Sequence, residues 1–176
     1  MTAIIRPAVV ADARAIAEVH IRSWQEAYRG QLPDAWLDGL SAQLERREAR
    51  WRETLAGRHG ERSCVAERDG RLIGFVLVVP SLDDDATPDT GQLSAIYLLQ
   101  EAWGIGVGRD LMTIAMADLR SRFRRATLWV LRSNARARRF YEIAGWRADG
   151  REKVEDWAGA RIDEVRYVID VDGAQE

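Results

Sequence analysis

The amino-acid sequence predicts an α/β fold in which seven strands alternate with helices. Three observations support this prediction. Short apolar and β-branched runs alternate with segments whose apolar residues recur at helical spacing. The dipeptide Asp69-Gly70 separates two such runs, which is a strong signal for a β-hairpin. Three glycines within residues 104–108 connect a predicted strand directly to a predicted helix.

The first third of the chain is predicted to form one short strand and a layer of helices. Asp12 and Ser41 are expected to be N-caps, because side chains of both types accept hydrogen bonds from the first turn of a helix. The predicted elements are a strand at 4–7, a helix from Asp12 that ends by Gly30, a helical turn at 33–40 and a helix from Ser41 to Gly57.

The rest of the chain is predicted to contain six strands and two helices. Residues 81–90, with Asp83, Asp84 and Asp85, are expected to form an acidic loop that is either solvated or attracts a cationic amine. The predicted elements are strands at 63–67, 72–79 and 93–99, a helix at 109–120, a strand at 126–131, a helix that stops at Gly145, and strands at about 148–155 and 161–171.

Length and composition limit the class of protein. The chain has 176 residues, 47% of them hydrophobic, so we expect a single domain spanning residues 1–176. The net charge of −2 gives no reason to expect a nucleic-acid partner. No apolar run approaches the ~20 residues of a membrane span, and the N-terminus lacks a signal-peptide pattern. The single cysteine, Cys64, cannot form an internal disulfide, which suits a cytoplasmic protein.

The glycine turn predicts a site for a phosphorylated cofactor. Glycine lets the backbone approach a ligand because no Cβ intervenes, and the first N–H groups of the following helix attract anions. The turn is not a P-loop, since Arg109-Asp110 follows Gly108 in place of Lys and Ser or Thr. Its G-x-G-x-G spacing also differs from the dinucleotide-binding fingerprint. Taken alone, the turn is equally compatible with a plain strand-to-helix connection.

A second segment, residues 126–146, decides between these interpretations. It contains a strand, then a helix capped by Ser133 or Asn134. Together with the glycine turn, it resembles the GNAT superfamily of acetyl-CoA-dependent N-acyltransferases. Residues 103–108 match the family motif Q/R-x-x-G-x-G/A except at Trp103, where the family prefers Gln or Arg. The motif N-x-x-A-x-x-F-Y-E-x-x-G-F/W matches Asn134, Ala137, Phe140, Tyr141, Glu142, Gly145 and Trp146.

The resemblance implies a three-layer domain whose mixed, mostly antiparallel seven-stranded sheet carries helices on both faces. It also implies an enzyme that moves an acetyl group from acetyl-CoA to a primary amine of a small molecule or peptide. The amine would attack directly in a ternary complex, with no metal and no covalent enzyme intermediate. Cys64 lies outside both motifs and is not expected to be a nucleophile. A homodimer is among the oligomeric states left open.

The same resemblance implies roles for individual residues. A free backbone N–H of Tyr97, Leu98 or Leu99 would polarise the thioester carbonyl. The Tyr141 hydroxyl would protonate the leaving sulfur; alternatively, Tyr141 is only an interior aromatic residue. The residues expected to bind the cofactor are Tyr97, Leu98, Leu99, Trp103, Gly104, Ile105, Gly106, Val107, Gly108, Arg109, Asn134, Arg138 and Tyr141. For the arginines, Arg136 included, a solvated surface position is an equal alternative.

The acceptor side is less well defined by the sequence. Trp24 and Tyr28 share a helix face with His20, and in the family this layer builds the acceptor pocket. We favour the interpretation of His20 as a half-buried residue of an aromatic core. The candidate general bases, none of them distinguished from the others, are Glu26, Glu67, Glu101 and Glu164. Two other functions stay open: a CoA-binding sensor or assembly module without catalysis, and transfer of a longer acyl group.

Overall fold

The structure, a computed structural model, describes residues 3–157 and 159–171. Its strands are β1 (Ile4–Pro7), β2 (Arg62–Arg68), β3 (Arg71–Pro80), β4 (Thr90–Leu98), β5 (Arg125–Leu131), β6 (Arg147–Trp157) and β7 (Ala160–Asp170). Its α-helices are α1 (Ala13–Ala27), α2 (Asp34–Gly39), α3 (Leu44–Leu55), α4 (Val107–Arg122) and α5 (Ala135–Ile143). Short 3-10 segments lie at Val10–Asp12, Leu40–Gln43 and Gln100–Ala102. The order of elements agrees with the order predicted from the sequence.

The seven strands form one sheet in the order β1-β2-β3-β4-β5-β7-β6. Neighbouring strands are antiparallel except β4 and β5, which are parallel. Side chains alternate between the two faces: Phe75 packs with residues of α1 and α3, whereas Val76 packs with α4 and α5. The predicted fold, a mixed and mostly antiparallel sheet with helices on both faces, is confirmed. Within the described ranges, no helix has both the length and the apolar character needed to cross a membrane.

The parallel pair β4–β5 separates soon after it forms. Its pairing covers only residues 90–92 of β4 against residues 125–127 of β5. Just beyond this point, the register of β4 against β3 shifts, because Ser94 is an extra residue between Leu93 and Ala95. A bulge of this kind bends its strand and increases the local twist. The carboxyl-terminal half of β4 therefore follows β3 and leaves β5, which opens a gap in the middle of the sheet.

Local turn chemistry was predicted well at one position and poorly at two others. The β2–β3 hairpin turns through Asp69 (φ 54°) and Gly70 (φ 75°), two residue types that tolerate positive φ. Asp12 occupies the predicted N-cap position of α1 but makes no capping hydrogen bond, and the predicted N-cap Ser41 is wrong. The Asp12 carboxylate accepts hydrogen bonds from the Val9 N–H and from Arg6 instead of capping α1. Ser41 lies inside a 3-10 segment and makes no capping hydrogen bond.

The acidic loop between β3 and β4 is neither simply solvated nor free to attract an amine. Arg166 of β7 is only 2% exposed and makes a two-bond contact with the Asp85 carboxylate, at 2.7 and 2.8 Å. Its guanidinium also donates to Asp149 at 2.6 Å and to Asp83 at 3.2 Å. Asp84 faces outward and pairs with Arg151. The loop is therefore fastened to the sheet by one buried cation.

Replacement of Arg166 by methionine should lower the free energy of unfolding by about 3 kcal/mol, because three carboxylates would lose the buried cation that they share. The control Arg147→Met removes an exposed ion pair with Asp170 and should cost less than ~1 kcal/mol. Urea denaturation at pH 7 measures both effects. Equal costs for the two substitutions would contradict the assignment of Arg166 as the anchor.

The difference in stability between wild-type protein and Arg166→Met should become smaller in acid. Hydrogen bonding from Arg166 lowers the pKa of Asp85 to about 2. A depressed native pKa contributes stability that is complete above the ordinary Asp pKa of ~3.9. This contribution is lost as the pH falls toward the native value. The wild-type advantage over Arg166→Met should therefore shrink between pH 5 and pH 3, as measured by the same denaturation experiment.

Candidate functional site

The gap between β4 and β5 opens into a cavity of about 1690 Å³. Residues from both faces of the sheet line it, so the cavity passes through the sheet where the two strands separate. On the face of α4 and α5, its wall includes Gly104, Gly106, Asn134, Arg136 and Tyr141. On the face of α1 and α3, its wall includes His20, Trp24, Tyr28, Arg47 and Tyr97.

The glycine turn opens onto this cavity with unoccupied backbone donors. Gly104 and Gly106 have positive φ values of 76° and 97°, and a Cβ on either would meet no atom within 4 Å. The Gly106 carbonyl accepts the N–H groups of Arg109 and Asp110. Within the described ranges, the N–H groups of residues 104–108 donate no hydrogen bond. The turn therefore presents N–H groups at the positive end of the α4 dipole, where an anion binds favourably.

Trp103 holds the turn against the end of β4. Its indole Nε1 donates to the Leu98 carbonyl at 3.1 Å, so its only side-chain donor is used within the protein. The Arg136 guanidinium carbon lies 3.6 Å from the centre of the indole ring, in a cation–π contact. Burial lowers the pKa of Arg136. Trp103 is thus fixed against the end of β4, and Arg136 brings a cation to the same place.

The hydrogen bonds of β4 identify which of its N–H groups can serve a ligand. The Leu99 N–H donates to the Ile73 carbonyl at 2.9 Å, so the prediction that Leu99 offers a free donor is wrong. Backbone groups alternate sides along a strand. The Tyr97 N–H therefore points toward β3, and the Leu98 N–H points toward the gap left by β5. The bond from Trp103 to the Leu98 carbonyl agrees with this orientation.

Tyr141 of α5 lines the cavity with its ring largely buried, at 8% exposure. Burial is the main cause that raises the pKa of its phenol above the ordinary value. Its hydroxyl makes no hydrogen bond to the residues that the structure describes. The nearby Tyr167 differs, because its hydroxyl donates to Glu142 and accepts from Arg138. Tyr141 therefore keeps a protonated hydroxyl free to meet a ligand, whereas Tyr167 is fixed in the fold.

Other predicted cofactor residues divide into two groups. The Asn134 side chain accepts the Ala137 N–H at 3.1 Å, which makes Asn134 the N-cap of α5. Arg138 is held away from the cavity by Tyr167 and by the Arg132 carbonyl. The predicted residues in the cavity wall are Tyr97, Leu98, Trp103, Gly104, Gly106, Gly108, Arg109, Asn134 and Tyr141; those outside it are Leu99, Ile105, Val107 and Arg138.

The opposite end of the cavity is aromatic. Trp24 stacks on Trp157 with ring centres 5.2 Å apart and meets Tyr28 edge-on at 5.3 Å. His20 stacks on Tyr97 at 5.0 Å. Burial, followed by the charges of nearby arginines, lowers the pKa of His20 to about 3. His20 is therefore a neutral member of this aromatic group. Trp24 and Tyr28 line the same cavity, and their role in binding the acceptor stays a prediction.

Two of the four candidate carboxylates are committed elsewhere. Glu67 lies at the β1 edge of the sheet and binds Arg6. Glu101 binds Arg71, and this hydrogen bond is the main cause that lowers its pKa. Neither residue belongs to the cavity wall. The two remaining candidates, which both line the cavity, are Glu26 and Glu164.

Glu164 has the properties of a base more clearly than Glu26. Glu26 binds Arg22 and accepts the Gln100 N–H at 2.6 Å, so both of its oxygens are occupied. Glu164 of β7 is mostly buried, and burial raises its pKa. Its ion pair is with Lys153, at 3.1 Å. A buried carboxylate of raised pKa in a cavity is suited to accept a proton near neutral pH.

Sequence reasoning missed the basic side chains that α3 contributes to the cavity, namely Arg46, Arg47 and Arg50. The sequence contained a signal for this basic cluster. Arg46 and Arg50 are four residues apart, a spacing at which like charges on a helix repel each other. Cys64 lies on β2 and outside this cavity, and burial raises the pKa of its thiol. It therefore offers no activated nucleophile.

Comparisons with known proteins agree with this geometry. Residues 21–146 match the family described as Acetyltransferase (GNAT) family. A probable N-acetyltransferase of Mycobacterium tuberculosis is 30% identical over 169 residues, which cover 93% of this chain and 91% of the relative. The PaiA N-acetyltransferase of Thermoplasma acidophilum, crystallised with coenzyme A, has a similar fold, with a TM-score of 0.75, 20% identity and coverage of 97% and 99%. YncA of Salmonella typhimurium, solved with acetyl-CoA, has a TM-score of 0.69 and 19% identity, and the match covers 100% of this chain and 98% of YncA.

Proposed function

The chain belongs to the GNAT acetyltransferase family, and we propose that it transfers the acetyl group of acetyl-CoA to a primary amine. The amine, on a small molecule or peptide, attacks directly in a ternary complex. The observation that carries this proposal is the cavity through the sheet. It joins the free N–H groups of the glycine turn, on one face, to the aromatic pocket on the other. Two substrates can thus meet inside the sheet from opposite sides.

The cofactor end fits a pyrophosphate. Residues 104–108 offer unpaired N–H groups at a helix N-terminus, and the two positive-φ glycines leave the space in front of them empty. Arg109 and Arg136 line the same end and supply positive charge. Acetyl-CoA, as cosubstrate, supplies the acetyl group in the form of a thioester. No part of the proposed reaction needs a metal.

Three groups of this chain perform the proposed reaction. Glu164 removes a proton from the amine, directly or through water, so that the nitrogen lone pair can attack the carbonyl carbon. The Leu98 N–H stabilises the negative charge that develops on the carbonyl oxygen. As the new C–N bond forms and the C–S bond breaks, Tyr141 gives its proton to the thiolate, and the second proton that the nitrogen loses as the amide forms restores the Tyr141 phenol. Burial raises the pKa of both groups, which suits Glu164 to accept a proton near neutral pH and keeps the Tyr141 phenol protonated until the thiolate leaves.

The choice of an acetyl group over a longer acyl group, and the location of the protein in the cell, are predictions from the sequence. Transfer of a longer acyl chain stays an alternative to acetyl transfer. The cytoplasmic location, the homodimer and the single domain over residues 1–176 also stay predictions.

Gly106→Val should raise the dissociation constant of CoA by at least ~10-fold, because a side chain would enter the space that a pyrophosphate needs next to the N–H groups. Gly150→Val is the matched control, since Gly150 also has positive φ (87°) and a Cβ there would likewise meet no atom within 4 Å. Gly150→Val introduces similar backbone strain at a position outside the cavity wall. Titration calorimetry measures both; unchanged affinity in Gly106→Val would remove the turn from the cofactor site.

Tyr141→Phe should lower kcat by ~10–1000-fold with little change in CoA affinity, as expected for loss of one general acid. The assay follows free thiol released from acetyl-CoA against a panel of amines. Tyr167→Phe serves as control, because it removes a neighbouring buried hydroxyl that is fixed by Glu142 and Arg138. If wild-type protein binds CoA but releases no thiol with any amine, it is a sensor and not an enzyme.

Glu164→Gln should lower kcat/KM and abolish the acidic limb of its pH profile, since the limb reports protonation of this base. Because burial raises the pKa of Glu164, the wild-type limb should lie above the ordinary Glu value of ~4.3. Activity falls as the pH drops through the pKa of Glu164, because the protonated carboxyl group cannot accept a proton. Glu155→Gln is the control, because Glu155 also pairs with Lys153, at 3.3 Å. A retained acidic limb in Glu164→Gln would assign the base to another group.

A further inference from the structure

We propose that the amine acceptor carries an anionic group, a carboxylate or a phosphate, which Arg47 binds with the help of Arg46 and Arg50. This inference rests on the proposed function and names the class of its acceptor. All three side chains come from α3 and line the cavity on the face of α1. The acceptor would therefore have an amine at one end and a negative charge at the other.

Among the residues that the structure describes, Arg47 has no counter-charge. It is partly buried, its Nε is fully buried, and that nitrogen has no hydrogen-bond partner among the described residues. Its guanidinium lies 5.8 Å from the centre of the Trp24 ring. Burial lowers the pKa of Arg47, and the charges of Arg46 and Arg50 lower it further. Such desolvation is costly unless a partner arrives.

Three carboxylates of α3 and the cavity wall are held by other groups. Glu48, on the same helix, binds Arg14 and Arg52. In the cavity wall, Glu26 binds Arg22 and the Gln100 N–H, and Glu164 pairs with Lys153. Within residues 3–157 and 159–171, no carboxylate lies at ion-pair distance from any of the three arginines. A guanidinium presents a planar fork that matches carboxylate and phosphate oxygens, so an anionic ligand is the missing partner.

The position of the three arginines separates them from the proposed cofactor site. Trp51, also on α3, packs with Phe75 on one face of the sheet, whereas the glycine turn and α4 lie on the other face. The arginines therefore lie on the face from which the acceptor enters. The Trp24 ring lies beside Arg47 and near Tyr97, and both aromatic residues line the cavity, so they would contact an apolar or aromatic portion of the acceptor. A polyamine, which is cationic throughout, would be repelled.

The first experiment compares acceptors that differ only in the anion. An amino acid, its methyl ester and its decarboxylated amine form one series; phosphoethanolamine and ethanolamine form another; putrescine and spermidine represent cations. We expect kcat/KM for the anionic members to exceed that of their neutral partners by at least ~10-fold. The two series distinguish carboxylate from phosphate. Preference for putrescine or spermidine, with turnover intact, would overturn this inference and leave the proposed function standing.

The second experiment removes the charge. Arg47→Met should raise KM for the preferred anionic acceptor by ~10–100-fold, with smaller effects on kcat and on KM for neutral amines, and CoA affinity should not change. Arg47→Lys should restore part of the loss. Arg52→Met is the matched control, because Arg52 is on the same helix, pairs with Glu48 and does not line the cavity. Equal effects of Arg47→Met and Arg52→Met would overturn the inference.

A binding measurement keeps the two proposals distinguishable if turnover is absent. The same anionic amines are titrated by calorimetry into the CoA complex of wild-type protein and of Arg47→Met. Binding that is lost in Arg47→Met supports an anion site even when no thiol is released. Equal affinities, or no binding of any anionic amine to the wild-type complex, would exclude it.

Discussion

The short pairing of β4 with β5 is the constraint on which the rest of the site depends. Only residues 90–92 of β4 are joined to β5, and the extra residue Ser94 bends β4 away at once. Had the pairing continued, the Leu98 N–H would be bonded within the sheet and the cavity would be filled by backbone. Because the strands separate, one backbone donor is left free and two helical layers on opposite faces share one internal space.

Burial then gives this space its electrostatic character. At its centre, burial keeps the Tyr141 phenol protonated and raises the proton affinity of the Glu164 carboxylate. Toward α4, the positive groups are mainly backbone N–H groups, whose dipoles cannot be titrated away. Toward α3, they are guanidinium groups that lack partners in the described chain. The cavity is therefore positive at both ends for different reasons, with its proton-transferring groups in between.

The sequence predicted those features whose cause is local. The Asp69-Gly70 turn, the glycine turn and the Asn134 cap each depend on residues close together in the chain, and each was predicted correctly as structure. Features set by distant partners were missed. Asp85 binds Arg166, which lies far along the chain, so the acidic loop looked solvated. Glu164 could not be distinguished from three other glutamates until their burial and ion pairs were known, and Leu99 could not be excluded until its hydrogen bond to Ile73 was known.

The arrangement of the cavity on both faces has a consequence for the diversification of such a protein. The side chains that recognise one substrate belong to α1 and α3, whereas the glycine turn and Tyr141 belong to α4 and α5. Substitutions that reshape the first layer leave the second in place, because the sheet separates them everywhere except at the gap. The specificity for the acceptor can therefore evolve without change to the groups that bind and cleave the thioester.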